Sequence, residues 1–237
     1  FLDLDNLMDR FKDPTLARYE YERYHLNRWV SAPDAWIPLE TWMARRHPKG
    51  LIEPPMGTAI CLGFDGSKSR DSTALYGCTL DGHVFRVAVW ERDQRDPEWT
   101  VPRAEVDAVV ARAFRKWDVR LMNCDPPRWE REVEDWANEY GELRVLAFDT
   151  AVGERMAPAV GRFHDAVAEG SITHDGDPVL ARHIANARTK ETRWGLVITK
   201  ENKDSPRRID AAVSAVLAFD AATSPLPTPP SKRAYSW

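Results

Sequence analysis

Three aspartates stand at the ends of three separate apolar runs. Asp65 closes residues 58–64, Asp125 closes residues 119–124, and Asp210 opens the alanine-rich stretch 211–222. Strand ends and helix starts are rigid supports, so carboxylates far apart in the chain can converge on one point. Carboxylates gathered that closely repel one another unless a cation lies among them. Hard divalent ions such as Mg²⁺ take oxygen ligands and bind through a few carboxylates together with substrate phosphates. The chemistry on offer is metal-assisted attack on a phosphate ester, with no need for a serine or histidine nucleophile. Each aspartate also has a plain structural reading. Asp65-Gly-Ser67 makes a strand-ending turn, and Asp125 and Asp210 both suit helix caps. Their joint placement favours the chemical reading.

The elements that must position them follow from hydrophobic pattern. Residues 58–64, 72–80 and 83–90 are short runs of β-formers, and Asp81-Gly82 signals a two-residue type I′ turn, giving an antiparallel meander. Residues 102–117 repeat apolar side chains at helical spacing from Pro102, 119–124 reads as a buried strand, 127–140 as a helix stopped by Gly141, and 143–148 as another strand. Helices follow at 154–169, 178–187 and 209–222. The expected fold is α/β: a mixed five-stranded sheet flanked by helices, its first three strands antiparallel and its fourth and fifth parallel. The first strand would lie centrally beside the fourth, bringing Asp65 and Asp125 out together at a crevice. Ala211, Ala212, Ser214 and Ala215 are small enough to let the last helix approach the sheet and carry Asp210 to them. Two ions about 4 Å apart could then activate water and stabilise the leaving oxygen of a phosphodiester. Residues 1–56, rich in aromatics and ended by His47-Pro-Lys-Gly50, read as an N-terminal helical arm or linker. Residues 57–223 read as the main domain, and 224–237 as a proline-rich tail.

Composition narrows the partners. The 237 residues are 43% hydrophobic and 30% charged, with net charge −4 and pI near 5.9. Contact with nucleic acid therefore needs a local basic patch rather than the overall field. One exists: residues 182–208 gather Arg182, Arg188, Lys190, Arg193, Lys200, Lys203, Arg207 and Arg208 against Glu191, Glu201 and Asp204. Arg188, Lys190, Lys200, Arg207 and Arg208 are the candidate DNA contacts, salt-sensitive and blind to sequence. A solvated charged loop is the alternative, and residues 189–200 could form a β-hairpin arm that guides DNA or screens the site. Cys61, Cys78 and Cys124 lie in apolar strand-like runs and read as buried free thiols. No run approaches the roughly 18 apolar residues of a membrane span. The start Phe1-Leu-Asp-Leu-Asp lacks the basic region of a signal peptide. The six histidines form no ligand pattern. The ten tryptophans suit packing.

These residues carry a resemblance. Gly63-Phe-Asp-Gly-Ser67 with Asp71-Ser-Thr-Ala-Leu75, Asn123-Cys-Asp-Pro-Pro127 with Trp129, and Arg208-Ile-Asp-Ala-Ala212 resemble the nuclease domain of tailed-phage terminase large subunits. So do Arg182-His183-Ile-Ala-Asn186-Ala187 and His25-Leu-Asn-Arg-Trp29. The resemblance implies an RNase H-like fold and metal-dependent cutting of concatemeric double-stranded DNA during packaging, with Mg²⁺ or Mn²⁺ at positions corresponding to Asp65, Asp125 and Asp210. It also implies as partners the terminase small subunit, the portal and an ATPase domain, in the host cytoplasm. No Gly-x-x-x-x-Gly-Lys-Ser/Thr loop occurs, so the ATPase motor is expected to lie outside this chain, which reads as a fragment or processed product. Some relatives place Glu where Asp125 stands. Asp204 is a candidate outer ligand and Asp71 a turn residue. His183 and Asn186 share one side of a helix and suit the surface better than the site. Two other readings compete. Residues 64–73 also resemble the phosphate hairpin of actin-like kinases and ATPases, and the chain could be a non-catalytic docking piece of a packaging motor.

Overall fold

The computed structural model describes residues 8, 35–67, 72–92, 96, 98–202 and 205–227. Its elements are α1 (Leu39–Met43), β1 (Ala59–Asp65), β2 (Thr73–Thr79), β3 (His83–Trp90), α2 (Arg103–Lys116), β4 (Asp118–Asp125), α3 (Glu130–Tyr140) and β5 (Val145–Ala147). There follow α4 (Gly153–Glu169), β6 (Thr173–His174), α5 (Pro178–Asn186), β7 (Arg188–Thr192), β8 (Gly195–Thr199) and α6 (Asp210–Thr223). The main sheet runs β5-β4-β1-β2-β3-β6, and β7 pairs with β8 as a separate hairpin. The five expected strands are present in the expected order and sense, with β1–β2–β3 antiparallel and β4 and β5 parallel to β1. A two-residue sixth strand, β6, adds parallel to β3 at the far edge. It is too short for any periodicity to reveal it.

Side chains alternate across the sheet as the strand pleat requires. Ile60, Leu62, Phe64 and Leu75 face α2 and α3 with Val106, Val110, Trp129 and Trp136, whereas Ala74, Tyr76 and Cys78 face α4, α5 and α6. Helix α6 is apolar nearly all round and buried from Asp210 to Ala221, as befits a helix enclosed between the sheet and α4. All three cysteines are buried free thiols. No helix among the described residues is long and apolar enough to cross a membrane.

Two expectations need correction. The β2–β3 turn is not type I′. Gly82 is left-handed at φ +88°, but Asp81 is not, and Gly82 N–H donates to Thr79 O at 3.0 Å. The connection is a three-residue loop ending in glycine, held by Thr79 Oγ1, which accepts from His83 N–H at 2.9 Å. Nor does the folded domain begin at residue 57. Trp36, Ile37, Leu39 and Trp42 belong to the core, Trp36 and Trp42 stack on Phe163, and Ala35 and Arg46 make bridges to Arg188 and His174. Prolines and a glycine beside this segment mimic a linker, but four large apolar side chains within seven residues outweigh them. Residues 1–34 of the expected arm, apart from Met8, and the tail beyond residue 227 lie outside the described residues.

One packing detail predicts a pH response. His83 is 4% exposed, pairs through Nδ1 with Thr173 Oγ1 at 2.9 Å, and among the described residues has no hydrogen-bond partner at Nε2. Burial above all, helped by nearby His47, lowers its pKa from 6.5 to about 4. The folded protein thus binds fewer protons here than the unfolded chain between those values. This contribution is complete above pH 6.5 and is lost as pH falls towards 4. His83→Gln should flatten the acid limb of stability by up to about 3 kcal/mol, read from urea unfolding at pH 7, 5.5 and 4. Parallel pH profiles for variant and parent would refute it.

Candidate active site

Strands β1 and β4 are parallel neighbours at the middle of the sheet, and Asp65 and Asp125 are directly paired at their C-terminal ends. Asp210 arrives from the other side, on the first turn of α6. What brings α6 so close is a glycine. A Cβ at Gly63 would collide with the Ser214 carbonyl and the Ala218 nitrogen, so the helix lies directly on the strand. Ser214 then fastens it: its Oγ donates to Gly63 O at 2.7 Å and accepts from Tyr76 N–H at 3.0 Å. Asp210 is not an N-cap. Ile209 holds that position and offers no capping side chain, while Asp210 Oδ2 accepts from Ser72 Oγ at 2.8 Å.

Asp65 and Asp210 line one cleft of about 390 Å³ with Thr150, Ile198, Lys200 and Asn202. Asp125 reaches it through Thr150, whose N–H and Oγ1 each donate to one of its oxygens at 3.0 Å. Burial raises the Asp125 pKa above the ordinary carboxylate value, with the two Thr150 bonds opposing and Asp149 adding to the rise. Thr150 was not foreseen, since a threonine after Asp149 has nothing in its type or spacing to mark it. Among the described residues, no group of three or more His, Cys, Asp or Glu side chains is gathered so as to hold a metal ion by itself. Asp65 and Asp210 instead border an open cleft, with Asp125 beside Asp65 on the neighbouring strand. An all-oxygen donor set of that kind fits a hard divalent cation whose remaining ligands are water and phosphate.

The basic candidates divide. Lys190 is exposed on β7 and Lys200 lies in the cleft wall. Arg207 pairs with Glu201 at 2.7 Å and Arg208 with Glu91 at 3.4 Å, both arginine side chains less than one-fifth exposed. Arg188 is a correction. It is 3% exposed and donates to the carbonyls of Ala185, Asn186 and Ala187 at 3.1, 3.3 and 3.2 Å, closing the end of α5 where free carbonyls attract cations. It cannot meet DNA from there. The surface reading of His183 and Asn186 is also overturned, because both are buried behind α6. Residues 188–199 do form the expected hairpin, with its β8 strand along the cleft. Asp71 and Asp204 lie outside the described residues.

A mixed sheet layered between helices, with carboxylates at the ends of neighbouring parallel strands, makes this an RNase H-like domain. The family described as "Terminase large subunit, endonuclease domain" matches residues 104–224, just over half of the chain, and the chain belongs to that family. The match includes Asp125 and Asp210 and begins beyond Asp65. The chain is similar to the Gene 13 proteins of Mycobacterium phages L5 and D29, 36% identical to each over 93% of its own length, and it spans 40% of theirs. It resembles the HK97 bacteriophage large terminase with a TM-score of 0.63 at 20% identity, covering 93% of this chain and 51% of that one. The large terminase nuclease from thermophilic phage G20c with bound magnesium aligns at a TM-score of 0.51 and 14% identity, covering 80% of this chain and 98% of that one. At such identities these structures establish the fold.

Proposed function

We propose that this chain is a divalent-metal-dependent endonuclease that hydrolyses phosphodiester bonds of concatemeric double-stranded DNA during phage genome packaging. The observation that carries the reading is the pairing of Asp65 with Asp125 at neighbouring strand ends, with Asp210 on the same cleft. Asp65, Asp125 and Asp210 would hold two ions, Mg²⁺ or Mn²⁺, with Asp204 as an outer ligand. When bound, such ions lower the pKa of attacking water and neutralise charge at the phosphate. The protein's share is orientation. Thr150 fixes both oxygens of Asp125, Ser72 holds one oxygen of Asp210, and Lys200 on the cleft wall offers a cation to the DNA backbone. Lys190 on the hairpin extends that positive surface. The ATPase domain of a longer chain, the terminase small subunit and the portal are the proposed partners, and the host cytoplasm the place of action.

The test is supercoiled plasmid incubated with the purified chain and Mg²⁺, Mn²⁺ or EDTA. Nicked and linear DNA should appear with either metal and vanish with EDTA. Plasmid left intact under all three conditions counts against the proposal.

A further inference from the structure

Helix α5 turns two buried polar side chains toward one stretch of chain. His183 Nδ1 accepts from Ala211 N–H at 2.9 Å, and Asn186 Nδ2 donates to Arg208 O at 3.0 Å. The two contacts bracket Asp210. The first N–H groups of any helix lack partners inside it, and they are ordinarily met by a side chain at the N-cap. Here Ile209 offers none. His183, reaching across from another helix, caps α6 in its place, which leaves the Asp210 carboxylate to face Ser72 and the cleft.

With Nδ1 accepting, the ring carries its proton on Nε2, which faces Glu91 Oε1 at 3.2 Å. Glu91 directly follows β3 and also meets Arg182 at 2.5 Å and Arg208 at 3.4 Å. Its pKa is lowered to about 2, first by the hydrogen bond from His183, against burial and with help from Arg182. Glu91 is therefore charged at neutral pH, and a charged acceptor fixes both the tautomer and the orientation of the ring.

We infer that Glu91 and His183 are a positioning pair for Asp210: His183 caps the start of α6 from outside, and Glu91 holds the ring that does so. Their purpose rests on the nuclease reading above. A partner that orients a ligand-bearing element acts on metal affinity, whereas a simple helix cap acts only on stability.

The experiment uses the 237-residue chain and two readouts, amide hydrogen exchange over residues 208–213 and Mn²⁺ binding by calorimetry. His183→Phe should speed exchange at Ala211 and weaken Mn²⁺ binding by about 10- to 100-fold, the usual cost of losing such a supporting contact. His183→Asn places Oδ1 near the position of Nδ1 and should restore most of both. Glu91→Gln should weaken Mn²⁺ binding several-fold and carries the test if His183→Phe does not fold. Unchanged exchange and affinity in His183→Phe, unchanged affinity in Glu91→Gln, or no recovery in His183→Asn would each overturn the inference. If the unsubstituted chain binds no Mn²⁺, the nuclease reading falls and this inference falls with it. If the parent binds Mn²⁺ and the variants do not differ, only the inference is lost.

Discussion

Asp65→Asn, Asp125→Asn and Asp210→Asn should each lower metal-dependent cleavage by about 10³-fold while leaving the fold intact. Asparagine keeps the shape of aspartate and one of its acceptors but loses the charge that would hold a divalent ion. The stabilisation such an ion gives the reacting phosphate amounts to several kcal/mol, and each 1.36 kcal/mol is a factor of about ten. Asp125 makes the clearest case because its surroundings separate stability from activity. Its carboxylate is partly desolvated and its pKa raised, so the charge is held at a cost to the fold. In Asp125→Asn the amide oxygen can still accept from Thr150 N–H, and the amide group can turn to Thr150 Oγ1. Its melting temperature should therefore equal or exceed that of the parent while plasmid cleavage disappears. Loss of function with no loss of stability is the signature of a site that trades one for the other. Full-rate, metal-dependent cleavage in all three variants would remove the assignment.

The placement of the three aspartates was legible because each closes or opens an apolar run whose type is unambiguous, and β1 next to β4 follows once the first three strands are read as a meander. The supporting groups were not legible. Thr150, with two hydrogen bonds to Asp125, and Ser72, with one to Asp210, act from loops, where neither periodicity nor spacing constrains a residue. His183 and Asn186 misled for a physical reason. Polar residues three apart on a helix ordinarily face water, and only the main chain of residues 208–211 lying against α5 makes them core residues. Arg188 misled in the same way. A basic residue in a basic segment reads as a phosphate contact, but it sits directly after α5, where the carbonyls at the helix end need donors. Of the basic segment, Lys190 on the hairpin and Lys200 in the cleft wall are placed where the proposed contact with DNA is open to them. Proline and glycine punctuate segment 35–47 and give it the look of a linker, although tertiary packing on Phe163 and His174 decides its place.

Gly63→Ala should be the most costly single-methyl change in the molecule. The added carbon would overlap the Ser214 carbonyl and the Ala218 nitrogen, and would lie 2.8 Å from Leu217 Cβ. The first two are main-chain atoms of a helix buried along nearly its whole length, so neither can rotate away. The helix must lift or the strand must bend. Overpacking of this kind costs about 1–3 kcal/mol when side chains can adjust, and here the upper end applies. Lifting α6 also pulls Ser214 from Gly63 O and Tyr76 N–H and carries Asp210 away from Asp65, two residues along the same strand. Cleavage should fall by more than about tenfold at temperatures where the variant is still folded, because small displacements of positioned groups weigh heavily on rate. Gly161→Ala is the control. It lies inside α4, where an added Cβ meets nothing within 4 Å, and it should stabilise by about 0.5–1 kcal/mol through helix propensity. Urea unfolding of the two variants side by side separates the effect of lost glycine freedom from that of contact. If Gly63→Ala unfolds at the parent's urea concentration and cuts at the parent's rate, the close approach of α6 to β1 is not what brings the third carboxylate to the cleft.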